Sequence, residues 1–541
     1  MNKLILTRFL FLALIFLQIG QSAIAAKVET GDETLDAIFQ PLFSGTFAEK
    51  KMALDALVTS DITNKKAYIE GVVSKDLMVH KKSKKLVWVK KEGSKYHMTD
   101  AVSGEDLGLE KKRKVKKFSI NNNMRGQVTA MLAILDLDST DADVRLAAVQ
   151  TMLQSPAPEH AALLGNRVEK EADTRIVEAM QLGIALAQLG SRDAEARLAA
   201  IADVSESLKP AVRNALNTIA SSDPDDRVKA AAKRAIKKQE ERVKVFGYIE
   251  TLFFGLSLGS VLVLAAIGLA ITFGVMGVIN MAHGELIMLG AYTTYLIQLA
   301  MPESVGVALL ISIPAAFIVS GSVGIAIERS VIRFLYGRPL ETLLATFGIS
   351  LILQQIVRTL ISPQNVPVSN PDWMSGFIEI NSVFSITYNR LYIVIFCLMV
   401  FALLFFVLKK TRLGLEVRAV SQNRSMARAM GIRSSRVDAM TFGLGSGIAG
   451  IAGVALSQLT NVGPNLGQAY IVDSFMVVVF GGVGNLWGTL IGGMTLGIAN
   501  KFMEPWAGAV LAKILVLVFI IMFIQKRPRG LFPQKGRAAG D

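Results

Sequence analysis

The sequence predicts an α-helical polytopic membrane protein of about 8–9 apolar passages. An exported, mainly α-helical amino-terminal domain of HEAT-like repeats, carrying a small β segment, precedes the passages. Three observations lead to this fold class. Residues 27–245 are rich in charge, whereas 246–525 are almost continuously apolar and hold several runs of bilayer-spanning length. The charged half repeats a pattern of acidic residues, a basic residue and an Ala-rich apolar face. An apolar leader stands before both. The chain of 541 residues is 52% hydrophobic with mean hydropathy +0.44, an average that conceals the two halves.

Residues 1–26 have the pattern of a secretory signal peptide. Lys3 and Arg8 are the basic start, "FLFLALIFLQIG" is the apolar stretch, and Ala23–Ala25 supply small residues for cleavage. The other reading is an uncleaved anchor helix; in either case the charged half is exported. Residues 27–125 form an α+β region. Apolar residues at three-to-four spacing mark helix over 27–60, and "KLVWVKKEGSKYHMTD" alternates on either side of Lys91–Ser94, as a hairpin does. Residues 126–245 are a helical-repeat region. "DADVRLAAV", "EADTRIVEAM", "DAEARLAAI" and "DDRVKAAAKRAI" recur at irregular periods of about 20 to 40 residues. A helical solenoid or an ordinary bundle fits this recurrence. The basic runs "HKKSKKLVWVKK" and "EKKRKVKK" read as solvated faces, or as surfaces for acidic headgroups or a partner protein. Export excludes nucleic acid as their partner.

The membrane domain spans 246–533, with apolar segments near 249–275, 279–300, 304–327, 340–362, 389–408, 439–460, 471–499 and 508–525. Glycines 481, 482, 484 and 488 break the segment 471–499. Basic residues crowd loop 409–438, the stretch 329–338 and the tail, whereas loop 363–388 has no Lys or Arg. The positive-inside rule makes the first three cytoplasmic and the last external. The tail, 534–541, is then cytoplasmic only if 471–499 crosses twice, which gives nine passages. Much of the formal net charge of +14 lies in these flanking loops. The only cysteine, Cys397, lies in an apolar run, so no disulfide forms within the chain.

Two stretches carry chemistry. "ITFGVMGVINMAHGELIMLGAY" (271–292) is apolar enough for lipid yet holds Asn280, His283 and Glu285. Asn280 and His283, three apart, fall on one face of a helix. One reading lines a path with them and pairs Glu285 with a basic group in the bundle. The other makes the motif a turn between helices, with Glu285 in headgroup-level water. Loop 409–438 holds Ala419, Ala427, Ala429 and Gly431 at helical spacing with basic residues between them. A short helix pair there would present a convex knob that fits a groove on a motor subunit. No phosphate-binding G-x-x-x-x-G-K-[ST] loop occurs, so any nucleotide hydrolysis belongs to a separate subunit. The four histidines are scattered, and no metal-ligand pattern exists. Small residues in "GLGSGIAG" around Ser446 signal close helix packing.

Five motifs in order resemble the permease subunits of branched-chain amino-acid ABC transporters. They are "FGVMGVINMAHGELIMLGAY", "TRLGLEVRAVSQNRSMARAMGI", "GIAGIAGVAL", "FGGVGNLWGTLIGG" and "RPRGLFP". The leader, "SINNNMRGQVTAMLAILDL" and "DADVRLAAV" look like the urea branch of that family. The resemblance implies an inner-membrane importer subunit with a periplasmic amino-terminal domain, fed by a periplasmic solute-binding protein. It implies two cytoplasmic ATPase subunits and a second, different permease chain. ATP and Mg would sit on those partners, with no cofactor on this chain and membrane lipid around it. Gly414, Glu416, Arg418, Ala419, Ala427 and Gly431 then form the ATPase coupling surface. Asn280, His283, Glu285 and Asn485 are the candidate path, joined by Thr272 and Ser474. The leading expectation is a permease for urea or a related short amide. A branched-chain amino-acid permease is the alternative, and a membrane sensor with an exported ligand-binding domain is a third reading.

Overall fold

The computed structural model describes residues 32–532 apart from 61, 63 and 155–157. The expected signal peptide over 1–26 and tail over 534–541 lie outside the described residues. The chain divides into two compact units between Gln239 and Glu240, slightly ahead of the boundary that composition suggested.

The amino-terminal unit opens with helices α1 (Glu33–Ser44), α2 (Phe47–Thr59) and α3 (Lys65–Ser74). Asp32 accepts from the backbone of Thr34 and Leu35, and Thr46 with Glu49 closes a capping box on α2. An antiparallel sheet comes next: β1 (Leu77–His80), β2 (Leu86–Glu92), β3 (Lys95–Asp100), β4 (Asp106–Lys111) and β5 (Val115–Lys117), in the order β4-β3-β2-β1-β5. The expected hairpin is β2–β3. Glu92 pairs with Lys95, and Gly93 takes φ 61 in the two-residue turn, the left-handed geometry of the first position of a type II′ turn. Strands β1 and β5, of 4 and 3 residues, are too short for their alternation to register in the sequence. Alternation sets the two faces. Leu77, Val79 and Leu86 pack with Phe39, Leu54 and Ile69 of the helices, while Met78, Val87 and Met98 form a separate cluster on the other face.

Seven helices continue: α4 (Asn122–Asp136), α5 (Ala142–Gln154), α6 (Pro158–Val168), α7 (Thr174–Gln188), α8 (Ala194–Val204), α9 (Pro210–Ser222) and α10 (Asp226–Met276). Helices α5, α6 and α7 start at 142, 158 and 174; α8, α9 and α10 start at 194, 210 and 226, each 52 residues later. The ion pairs obey the same shift. Arg145 meets Glu171 at 2.8 Å, and Arg197 meets Asp223 at 2.8 Å. Arg145 also donates to the carbonyls of Ser139 and Thr140, as Arg197 does to those of Ser191 and Arg192. The recurrence is thus regular rather than irregular. The helices that carry the motif start at 142, 174, 194 and 226, spaced 32, 20 and 32 residues apart, which blurs the period when neighbouring motifs are compared. Val149, Ile176, Ile201, Leu216 and Val228 form one continuous core, because no single helix pair buries its own apolar face.

The membrane unit takes the apolar remainder of α10 and continues with α11 (His283–Ala300), α12 (Val305–Ser330), α13 (Pro339–Leu360) and α14 (Tyr388–Lys410). Then come α15 (Arg412–Gln422), α16 (Arg424–Ala429), α17 (Ser434–Ser457), α18 (Leu466–Gly481), α19 (Leu486–Ala507) and α20 (Ala509–Lys526). A small hairpin, β6 (Phe377–Glu379) with β7 (Ser385–Thr387), lies in the loop free of Lys and Arg. Among the described residues six helices are long and apolar enough to cross a bilayer: α10, α12, α13, α14, α17 and α20. This is fewer than the 8–9 passages expected. Helix α18 has 16 residues, about 24 Å at 1.5 Å per residue, short of a hydrocarbon core of about 30 Å. Helices α11 and α19 carry more polar residues and glycine. The glycine-broken run 471–499 contains the end of α18 and the start of α19. Gly482 and Gly484, at φ 104 and 78, turn the chain between them. Small residues set the spacing inside the unit. A Cβ on Gly290 of α11 would lie 2.0 Å from the Gly450 carbonyl oxygen of α17.

Candidate functional site

Helix α10 stops at Met276, where Gly277 takes φ 68, and helix resumes only at His283. Asn280 therefore lies in the break and does not share a helix face with His283, contrary to the expectation from spacing. Its Oδ1 accepts from the Ala282 amide at 3.0 Å, which shapes the turn. The neighbouring Met281 amide donates to Thr346 Oγ1 of α13 at 3.1 Å. His283 begins α11 with Nε2 2.8 Å from the Ala265 carbonyl oxygen. A carbonyl only accepts, so this bond places the proton on Nε2. Gly268 of α10 makes room for the ring: a Cβ there would come 2.8 Å from His283 Cε1.

Glu285 forms no direct ion pair among the described residues, although the charge of Arg358 acts on it. Its Oε1 accepts from Ser350 Oγ and Gln354 Nε2 of α13, each at 2.7 Å. Asn280, His283 and Glu285 are at most 1% exposed, so none of them sits in headgroup-level water. Thr342, Thr346, Ser350 and Gln354 are all buried and recur every four residues, which puts them on one face of α13. The break and the first turn of α11 meet this stripe. Arg358 stands one turn later, and its Nη2 donates to Asn465 Oδ1 at 2.7 Å. The stripe is not among the residues that sequence reasoning selects. Its signal is present as polar residues at fourfold spacing in an apolar run.

Asn485 is not part of this cluster. It caps α19 by accepting from the amides of Trp487 and Gly488, and its Nδ2 donates to the Phe532 carbonyl at 3.2 Å. Thr272 and Ser474 spend their hydroxyls on carbonyls of their own helices, at 3.1 Å to Leu269 and 2.7 Å to Tyr470.

Loop 409–438 folds as two short helices, α15 and α16, on a small core of Val417, Val420, Ala427 and Val437. Thr411 caps α15, and Asn423 caps α16. Gly431, at φ 87, ends α16 in a Schellman motif: the Gly431 amide donates to Arg428 O and the Ile432 amide to Ala427 O, both at 3.0 Å. Arg424 pairs with Asp438 and lies over the Tyr336 ring at 3.8 Å. The expected knob is formed only in part by its small residues, for Ala429 and Gly431 are exposed and the others are not. Ala427 and Gly414 are buried and Ala419 is half-buried, while Leu415, Met426 and Met430 are the exposed apolar groups at 61%, 60% and 77%. Glu416 is half-buried, and Arg418 is exposed with a bond to the Leu408 carbonyl.

Polar groups kept dry inside glycine-packed apolar helices mark a membrane protein with a candidate functional site. Comparison with known proteins makes that class specific. The chain belongs to the family described as branched-chain amino acid transport system / permease component, whose model matches residues 251–524. It is similar to the high-affinity branched-chain amino acid transport system permease protein BraD of Pseudomonas aeruginosa, at 30% identity over 297 residues. That match takes in 53% of this chain and 96% of the relative. It is 29% identical to LivH of Escherichia coli K12 over 293 residues, 52% of this chain and 95% of the relative. The ribose import permease protein RbsC of E. coli K12 matches at 26% over 266 residues, 47% of this chain and 78% of the relative. No solved structure matches. The protein is thus a multi-pass membrane transport subunit of this permease family.

Proposed function

We propose that the chain is the membrane-spanning subunit of an ATP-driven importer whose solute is a branched-chain amino acid. The names of the relatives support the solute class. The observation that carries the reading is the buried stripe on α13, which meets Glu285 and ends at Arg358. Three hydroxyls, of Thr342, Thr346 and Ser350, followed by the Gln354 amide give a passing solute weak, exchangeable partners. Arg358 offers a cation to an amino-acid carboxylate, and no ion pair engages it among the described residues.

In this reading two cytoplasmic ATPases bind ATP and Mg and dock on loop 409–438 through its exposed apolar side chains Leu415, Met426 and Met430. A second permease chain completes the path, and a periplasmic binding protein delivers the solute. The amino-terminal unit is exported. A second reading, a permease for urea or a related short amide, is favoured by that unit. The relatives are matched over 95–96% of their length by about half of this chain, and the family model begins only at residue 251.

Uptake of labelled leucine and labelled urea by cells carrying the whole system tests both readings. Leucine uptake that falls at least tenfold in Arg358→Gln is the expected result. Urea uptake without leucine uptake moves the solute to the short amide and keeps the permease. Uptake of neither, with all partner subunits present, overturns the importer.

A further inference from the structure

A cavity of about 980 Å³ opens on the basic face of the membrane unit. Its walls come from the ends of α10 and α14, from α15, and from the turn before α19. Ile271, Val275, Phe405, Leu408 and Trp487 give it apolar walls. Among the described residues Lys409 and Arg418 are its only cations, and no carboxylate lines it. Lys409 Nζ lies 4.8 Å above the Phe405 ring, and Arg418 is oriented by its bond to the Leu408 carbonyl. Neither forms an ion pair among the described residues. Trp487 is 51% exposed and packs edge-on against Phe401 and Phe405 at 5.3 and 5.9 Å.

The arrangement poses two demands at once. Two neighbouring cations without a counter-charge attract an anion, and the walls beside them favour hydrocarbon over water. A soluble anion meets only the first demand. The volume lies within the roughly 300–1,000 Å³ of small-molecule sites. The site adjoins Lys410, the last residue of the apolar helix α14, with a half-exposed Trp beside it, as at a membrane–water boundary. The exposed apolar side chains proposed for docking are separate from it, because Leu415, Met426 and Met430 are absent from the lining.

We propose that this cavity holds an anionic phospholipid, its phosphate between Lys409 and Arg418 and its first acyl carbons against Phe405, Leu408 and Trp487. The proposal rests on the membrane reading alone and is independent of the transported solute. A juxtamembrane cation contributes roughly a fivefold preference for anionic lipid, so the pair gives about thirtyfold.

Native mass spectrometry of the purified full chain provides the test. Phosphatidylglycerol and phosphatidylcholine with the same acyl chains are the probes, and glycerol 3-phosphate is the tail-less competitor. The wild type is expected to retain phosphatidylglycerol about thirtyfold better. Lys409→Gln should lower the preference about fivefold, Lys409→Gln with Arg418→Gln should abolish it, and Lys410→Gln, outside the cavity, should leave it intact. Equal retention of the two lipids by the wild type overturns the site. So does a preference that stays near thirtyfold in Lys409→Gln, the variant that decides the matter if the double variant does not fold. Displacement of the lipid by glycerol 3-phosphate assigns the site to a soluble anion instead.

Discussion

Replacing Glu285 separates a buried polar cluster with an energetic role from a passive one. Its Oε1 takes hydrogen bonds from Ser350 Oγ and Gln354 Nε2, and the side chain is 1% exposed. Glu285→Ala removes the acceptor from both donors and leaves a void. An orphaned buried donor costs about 1–3 kcal/mol. The Ser350 hydroxyl can turn to a carbonyl of its own helix, as serines in helices do, so its share is small. Gln354 has no such retreat. With the void included, about 3 kcal/mol is expected for the alanine variant. Glu285→Gln keeps a carbonyl oxygen for the same two donors. It places an amide where Oε2 now has no hydrogen-bond partner among the described residues, at about 1–3 kcal/mol if that amide finds no acceptor. The order is therefore wild type, then glutamine, then alanine. Thermal unfolding of the purified chain reads it, with hydrogen exchange over residues 277–290 and 342–358 as the local probe. Wild-type stability and unchanged local exchange in Glu285→Ala would refute the reasoning, because a buried acceptor with two donors cannot be removed without cost.

Leu415→Glu with Met430→Glu should abolish co-purification of the ATPase subunits while the chain stays inserted, since both side chains are largely exposed. Retained ATPase would move the docking surface elsewhere. Arg197→Met strands the buried Asp223 and should cost about 3–5 kcal/mol, whereas Arg197→Met with Asp223→Leu should recover much of the loss; calorimetry of both variants decides it. The amino-terminal unit should also weaken in acid. Arg145 holds the Glu171 carboxyl below its ordinary range, helped by the Asp173 and Ala172 amides. The folded pKa is therefore lower than the unfolded one, near 4.3. Its contribution is full above that value and disappears as pH falls through the depressed folded pKa. A stability profile from pH 6 to pH 2 should lose this component in Arg145→Gln.

Much of the architecture is legible because it arises from local pattern. The division near residue 240, the β2–β3 hairpin and the close helix packing each rest on composition, alternation or small residues within one segment. The break before His283 is legible as one of two open readings, but its burial is not. Ser350 and Gln354 lie 65 and 69 residues from Glu285, and no local pattern announces that meeting. Loop 409–438 shows a different failure. Helical spacing correctly groups Ala419 and Ala427, yet spacing alone does not say which face turns inward. Val417, Val420 and Val437 decide that by burying Ala427 and drawing in Ala419, while Ala429 stays exposed. Asn485 carries its role openly. An Asn between a glycine turn and an apolar helix is an N-cap signature, and capping is what it does.

The 52-residue shift in the amino-terminal unit makes its length a quantised property. Ala142, Pro158 and the helix start at Thr174 have counterparts at Ala194, Pro210 and Asp226, and each Arg–carboxylate clasp closes within its own block. Excising residues 142–193 would join Asp141 to Ala194, an acidic residue directly before a helix start, as Asp193 is now. Arg197 would keep Asp223 and exchange the carbonyls of Ser191 and Arg192 for those of Ser139 and Thr140, which Arg145 holds now. A cut of half that size would set one helix face against the wrong neighbour. The unit can therefore lose or gain length in whole blocks of 52 residues without breaking an Arg–carboxylate clasp.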